Sequence, residues 1–325
     1  MCIDPYLNET TRHADVILPP TDPARVGHYD YGFLALSIRN LAVYSPPALG
    51  RDAEDLTDSA IWVRVASAMT GMPVEAIEES MLRRILDRAV ADETSPAFSR
   101  DPEELRGLVC GRDQAERLLD AAVRTGAYGD GFGAVPDGLN IERLLAHPHG
   151  IDLGPLQSRV PEVLETPSAR IELCPEPIAA DVPRLAARLE AGNGDGLLLV
   201  GRRHLRSNNS WMHNLPMLAT GPDRCTLQVN PEDAARLGLE AGAKAMVTSR
   251  VGCVIAPVEI TREVSPGVVS LPHGWGHDAP GARLTTAARR PGVNSNLLSD
   301  DSIVDPLSGN AVLNAIPIRV EAANA

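Results

Sequence analysis

Val229-Asn230-Pro231-Glu232-Asp233-Ala234-Ala235-Arg236-Leu237-Gly238-Leu239-Glu240-Ala241-Gly242 is a short helix written between two strands. Asn230 is the cap, Pro231 stands at the first helical position where no N–H is needed, and Asp233 is the capping-box partner. Gly238 closes the helix, and Glu240-Ala241-Gly242 turns the chain into the next strand. Apolar runs lie on both sides: Leu197–Val200, Thr226–Val229, Ala243–Ser249, Val254–Ile260, Val268–Leu271 and Ala315–Val320. Each is rich in valine, leucine or isoleucine, with turn residues between them. Short strands, one short helix and many glycine corners predict a small closed barrel. The mouths of barrels collect ligands.

The first of these strands runs into Gly201-Arg202-Arg203-His204-Leu205-Arg206-Ser207-Asn208-Asn209-Ser210-Trp211-Met212-His213-Asn214. It carries three arginines, two histidines, two serines, three asparagines and a tryptophan. Almost nothing here can fill a core. Arginine forks hold phosphates, and amides read a base or a pterin edge. A solvated polar loop is the alternative.

The chain has 325 residues, 44% of them hydrophobic but only 3% aromatic, so aliphatic side chains must fill its cores. A formal net charge of -13 argues against a general nucleic-acid binder. The five cysteines, Cys2, Cys110, Cys174, Cys225 and Cys253, form no C-x-x-C pair, so neither zinc nor an iron–sulfur cluster is signalled. Such scattered thiols fit a reduced, cytoplasmic protein. No signal peptide and no apolar run of membrane-spanning length is present.

The N-terminal half is less regular. Asn8 is placed to cap one or two helical turns, and Asp15-Val16-Ile17-Leu18-Pro19-Pro20 reads as a short buried strand without evident partners. Phe33 to Tyr44 alternates like a strand. Asp58 is expected to cap a helix through Trp62, Val65 and Met69 to Gly71, and Pro73 to start a second with Ile77, Met81, Leu82, Ile85 and Ala89 on one face. A further helix, Gln114 to Thr125, would turn Leu118, Leu119 and Ala122 inward. Gly126 to Gly154 is glycine-rich but lacks the lysine and hydroxyl residue of a P-loop, and reads as a meander wrapping a neighbouring domain. His147-Pro148-His149 within it has no third metal ligand nearby. Ser168 to Pro175 reads as a strand, and the prolines and glycines that follow place a boundary near 190.

The composite of these stretches resembles the C-terminal part of a molybdopterin-dependent oxidoreductase large subunit of the dimethyl-sulfoxide-reductase or formate-dehydrogenase-like family. Residues 229–242 are similar to the "N-P-x-D-A-x-x-L-G-I-x-x-G" signature of its molybdopterin-dinucleotide-binding domain. Gly201-Arg202-Arg203 with Ser207 and Trp211 resembles the first cofactor loop. Val264 to Val269 with His273-Gly274-Trp275 resembles a pterin-facing turn, and Gly292 to Leu298 followed by Asp305 to Gly309 the last one. Asn8 to Pro19 is similar to an "E-T-x-x-x-A-D-V-x-L-P" segment of the same enzymes.

The resemblance implies an α/β plus β-barrel architecture: residues 1–70 a remnant of an α/β domain, 71–190 a helical and loop-rich connection, and 191–325 a double-psi β-barrel of the aspartate-decarboxylase type. It implies bis-(molybdopterin guanine dinucleotide) with molybdenum or tungsten as the cofactor. Arg202, Arg203, His204, Arg206, Ser207, Asn209 and Trp211 would line the first loop, with an arginine on phosphate. Asn230 or Asp233 would read the guanine edge, although both also have structural work in the helix start. His273, Asn294 and Asn296 would meet the pterin. Full-length relatives carry their metal ligand, and any iron–sulfur cluster, in chain preceding the segment matched by Asn8 to Pro19. The expectation is therefore a cofactor-binding C-terminal portion that is not catalytic alone, completed by an upstream-encoded part or an electron-transfer subunit. Formate is the default substrate and hydration a further option. The alternative is a non-catalytic pterin-binding module or an inactive fragment.

Overall fold

The structure, a computed structural model, describes residues 1–323 apart from 53, 193 and 195. It divides into two compact units, one made of Met1–Pro5 and Val16–Val163, the other of Tyr6–Asp15 and Leu164–Ala325. The boundary expected near 190 abuts residues 193 and 195, which lie outside the described residues.

The first unit has short strands and helices. Its strands are β1 (Cys2–Ile3), β2 (Ile17–Leu18), β3 (His28–Tyr29), β4 (Arg39–Ala42), β5 (Tyr44–Ser45) and β6 (Ile151–Pro155), paired β1–β2, β3–β5 and β4–β6. Ile17–Leu18 is thus not an orphan: Cys2–Ile3 pairs with it in parallel, and it is half-buried rather than buried. The strand expected over Phe33 to Tyr44 is broken, because Leu34–Leu36 closes a 3-10 turn whose carbonyl receives the Ser37 hydroxyl. The helices are α1 (Asp58–Thr70), α2 (Val74–Ala91), α3 (Pro102–Leu108), α4 (Gln114–Thr125) and α5 (Ile141–Ala146). Thr57, not Asp58, caps α1, its hydroxyl accepting from Ala60 N at 3.2 Å. On α2, Leu82, Leu86 and Ala89 are buried and pack with Leu105, Ala121 and Phe132.

The inward face of α4 differs from its apolar pattern. Ala122 is exposed, whereas Glu116, Asp120 and Arg124 are buried. Asp120 accepts from Ile141 N, Cys110 N and Arg124 Nε, each at 2.8 Å. Arg124 also meets Asp130 at 2.7 Å. Buried charges persist only when paired in this way. The network pins the glycine-rich meander to α4 of its own unit.

The second unit is built on a closed barrel of β7 (Leu197–Arg202), β8 (Leu227–Val229), β9 (Lys244–Thr248), β10 (Cys253–Ile260), β11 (Val268–Pro272) and β12 (Ile316–Ala322). The order around it is β10-β8-β11-β7-β12-β9. β7 with β11, and β8 with β10, are parallel; the other neighbours run antiparallel. Alternate residues point inward, as the period of two in a strand dictates. Leu197, Leu199, Leu227, Val229, Val247, Val269, Leu271, Ile316 and Ile318 are buried in one aliphatic core. Two short helices, α6 (Glu176–Ala179) and α7 (Val182–Ala191), precede the barrel. Ser168 to Pro175 is not a strand; Ile171 and Leu173 are exposed there, and none of the described residues pairs with that backbone as a ladder. No helix among the described residues is long and apolar enough to cross a membrane.

α8 (Pro231–Leu237) joins β8 to β9. Asn230 caps it, its Oδ1 accepting from Glu232 N at 3.0 Å, and Gly238 ends it in the left-handed region at φ 65°. Asp233 does not close a capping box. One oxygen accepts from Gly267 N and the other pairs with Arg236, both at 2.7 Å.

Candidate functional site

Strand direction sets which loops meet. β7 and β11 run in parallel with Gly201 opposite Leu271 and Arg202 opposite Pro272. The loops that follow them, beginning at 203 and at 273, therefore leave the barrel side by side. His273 Nε2 and Asn209 Oδ1 are 3.1 Å apart. Gly274 lies so close to the Asn209 carbonyl that any side chain there would collide with it. Gly276 likewise lies too close to Asn294 to carry a side chain, which brings the third stretch, 292–298, to the same place. Asn294 caps the 3-10 turn Ser295–Leu298 through Asn296 N at 3.0 Å. Asn208 and Asn209 both have positive φ, 40° and 63°. Asparagine tolerates this better than most residues, which explains the Asn-Asn pair at the loop's turn.

Ten of the twelve residues singled out in the sequence thus gather at one end of the barrel: Arg202 at the end of β7, and Arg203, His204, Arg206, Ser207, Asn209, Trp211, His273, Asn294 and Asn296 in three adjoining loops. Asn230 and Asp233 do not. β8 runs antiparallel to β11, with Val229 opposite Val269, so Asn230 emerges at the other end of the barrel. Both side chains are buried there, and Asn230 Nδ2 donates to Val264 O at 2.8 Å.

Within the loop cluster the roles divide by burial. Arg202 turns inward, giving Nη1 to Ser270 O at 2.8 Å and Nη2 to Thr226 O at 2.8 Å. Burial lowers its pKa, and the Glu259 carboxylate opposes that shift. Its Nε and the indole N–H of Trp275 are buried without a hydrogen-bond partner among the described residues. His204 leans on the Arg224 carbonyl at 3.2 Å, and its pKa is lowered by burial and by Arg202. Arg203, Arg206, Asn209 and Trp211 face solvent, Trp211 at 76% exposure, which an indole serving the core would not show.

Three side chains escaped the sequence reading as site residues: Glu9, His213 and His277. Ser207 Oγ and His213 Nε2 are 2.8 Å apart, His213 Nδ1 and His277 Nε2 2.8 Å, and His277 Nδ1 and Glu9 Oε1 3.0 Å. Trp275 lies against the His213 ring with centroids 4.0 Å apart. Burial, and next the His277 charge, push the His213 pKa down to about 4. The Asn8-Glu9-Thr10-Thr11 segment reaches this cluster because Asn8 caps its turn and Arg12 donates to Pro280 O at 2.6 Å. His213 lies in the donor-rich stretch and His277 two residues past Trp275, whereas nothing local signals a partner at residue 9. Among the described residues, no group of three or more His, Cys, Asp or Glu is placed to hold a metal ion.

Comparison with known proteins agrees with this geometry. Residues 197–317, the barrel and its loops, match the model of the Molydopterin dinucleotide binding domain. The barrel is a molybdopterin dinucleotide-binding domain related to the dimethyl-sulfoxide-reductase superfamily of molybdenum oxidoreductases. Among curated relatives, a tetrathionate reductase subunit of Salmonella typhimurium is 29% identical over 110 residues, 29% of this chain and 11% of that protein. The arsenate respiratory reductase molybdopterin-containing subunit of Chrysiogenes arsenatis is 32% identical over 84 residues, 25% of this chain and 10% of that protein. Acetylene hydratase from Pelobacter acetylenicus shares the fold over 99% of this chain and 40% of its own, with a TM-score of 0.61 at 16% identity. The chain thus spans about a tenth of the curated relatives' length.

Proposed function

We propose that this chain binds molybdopterin guanine dinucleotide as the C-terminal portion of a molybdenum or tungsten oxidoreductase, and that it does not catalyse alone. The observation that carries the reading is the family match at 197–317, which falls on the barrel whose loops gather the donors. The residues suit the group. Arg202 Nε and the Trp275 indole are buried donors left unpaired, and such groups cost ~1–3 kcal/mol unless a ligand or water satisfies them. Arg203 and Arg206 offer exposed guanidinium forks for pyrophosphate. Asn209, His273, Asn294 and Asn296 offer amides and an imidazole to a pterin edge, and Trp211 a stacking face. Asn230 and Asp233 serve the helix start and the 264–267 turn in this reading. When bound, the cofactor supplies the metal's two-electron chemistry; this chain's part is to hold and orient it. We take the barrel to be double-psi, supported by the two parallel pairs β7–β11 and β8–β10 within one closed sheet. The curated relatives are named for tetrathionate and arsenate rather than formate, so oxyanion reduction displaces formate as the first substrate class to test.

The test is to purify the chain alone and with an N-terminal part supplied by a full-length relative, then measure guanine nucleotide released by acid and bound molybdenum or tungsten. Nucleotide and metal are expected at about one to two and one equivalents in the complemented protein. Nucleotide without turnover would favour the alternative, a module that only holds the cofactor. Absence of nucleotide in both preparations would sink the cofactor reading.

A further inference from the structure

We propose that Ser207, His213, His277 and Glu9 form a proton relay that takes up a proton beside the 203–214 loop and stores its charge on His277. The four groups make an unbroken chain with links of 2.8, 2.8 and 3.0 Å. Ser207, His213 and His277 are all buried. The Glu9 carboxylate is the partly exposed end.

Counting protons shows that the chain has two ordered states. An ionised Glu9 only accepts, so His277 Nδ1 carries a proton in both. With His277 neutral, its Nε2 must accept from His213 Nδ1–H, and His213 Nε2 in turn accepts from the Ser207 hydroxyl. With one proton more, every link but the last reverses. His277 donates from Nε2 to His213 Nδ1, and His213 donates from Nε2 to Ser207 Oγ. The step balances as three transfers: a proton arrives on Ser207 Oγ as that oxygen's own proton passes to His213 Nε2, and the His213 Nδ1 proton passes to His277 Nε2. No electron moves, and the gained charge rests next to the Glu9 carboxylate. His213 stays neutral in both states, which suits its pKa of about 4.

The Ser207 end borders space for a proton source. A cavity of about 30 Å³ beside Ser207 and His213 is walled by Leu218 and Trp275, and ~10–15 Å³ is enough for a water molecule. The charged and titratable groups facing the relay are Glu9, His204, Arg206, Asp223, Arg224 and Arg290. The arginines on the cavity side oppose a resting positive charge there and favour its passage to the Glu9 end.

As a route to a ligand on the 203–214 loop, the relay rests on the cofactor reading; the hydrogen-bond chain does not. The test therefore uses the full chain without cofactor, labelled with ¹⁵N at its imidazoles and followed by NMR between about pH 5 and 8. His213 is expected to remain neutral while it exchanges Nδ1–H for Nε2–H, in step with the appearance of an Nε2–H on His277. Glu9→Gln is expected to move both changes together to lower pH, because the carboxylate that favours a charge on His277 is gone. A His213 that keeps one tautomer throughout, or that titrates on its own, overturns the relay and leaves a static tie. So does a Glu9→Gln chain in which His277 shifts and His213 does not. Should that variant not fold, the tautomer curves of the unaltered chain decide the question alone.

Discussion

Glu116 is a buried carboxylate held from two sides. Arg112 pairs with it and Tyr44 donates to it at 2.6 Å. The Arg112 hydrogen bond is the largest influence, followed by the opposing effect of burial, and the pKa is lowered from 4.5 to about 2. A carboxyl lowered on folding contributes stability that is present above its unfolded value and lost as pH falls through the folded one. The first unit should therefore lose stability between about pH 4.5 and 2, and Glu116→Gln should flatten that part of the curve. Urea unfolding at stepped pH checks it; an unchanged slope would count against the ionised pair. Little of this was legible beforehand. Asn230 as a cap and Gly238 as a stop could be read, because each acts within a turn of its own position. Glu116 to Tyr44, 72 positions apart, could not. The same holds for Glu9 and His277, separated by 268.

Among the elements, strands survive from sequence better than faces do. The barrel strands were readable because each is a short run rich in valine, leucine or isoleucine bounded by turn residues. α4 was readable in length and misjudged in orientation, since its buried face holds Glu116, Asp120 and Arg124. Charges count as outward until a partner from another element is known. The turn after β11 makes a sharp prediction of this scale. Gly274 has φ 85° and abuts the Asn209 backbone. Gly274→Ala combines strain with a backbone collision and should cost at least ~1 kcal/mol. It should also break the His273–Asn209 contact, seen as a shifted His273 imidazole signal. Gly267→Ala, also at positive φ but with open space around it, is the control: it keeps the strain and lacks the collision, and should leave the His273 signal in place.

At the level of the molecule, Tyr6–Asp15 belongs with the barrel unit although some 150 residues of the other unit intervene. Arg283 N donates to Leu7 O at 2.7 Å, Arg12 reaches Pro280 O, and Glu9 meets His277. Removing residues 1–15 should lower the barrel's melting temperature, by roughly 2–4 °C for each kcal/mol lost in a unit of this size. Calorimetry of the shortened chain measures it; an unmoved barrel transition would show that the segment contributes nothing there. By itself the sequence determined the local and periodic features: the aliphatic strands, the capped helix after Val229 and the donor-rich loop after β7. Those follow from hydrogen bonding and burial within a few residues. Tertiary structure alone decided which loops share an end. It put 203–214, 273–277 and 292–298 together and sent Asn230 and Asp233 to the far side, because strand direction around a closed barrel depends on pairing between distant segments. It also joined Ser207 and His213 to His277 and Glu9, a contact that no local pattern encodes.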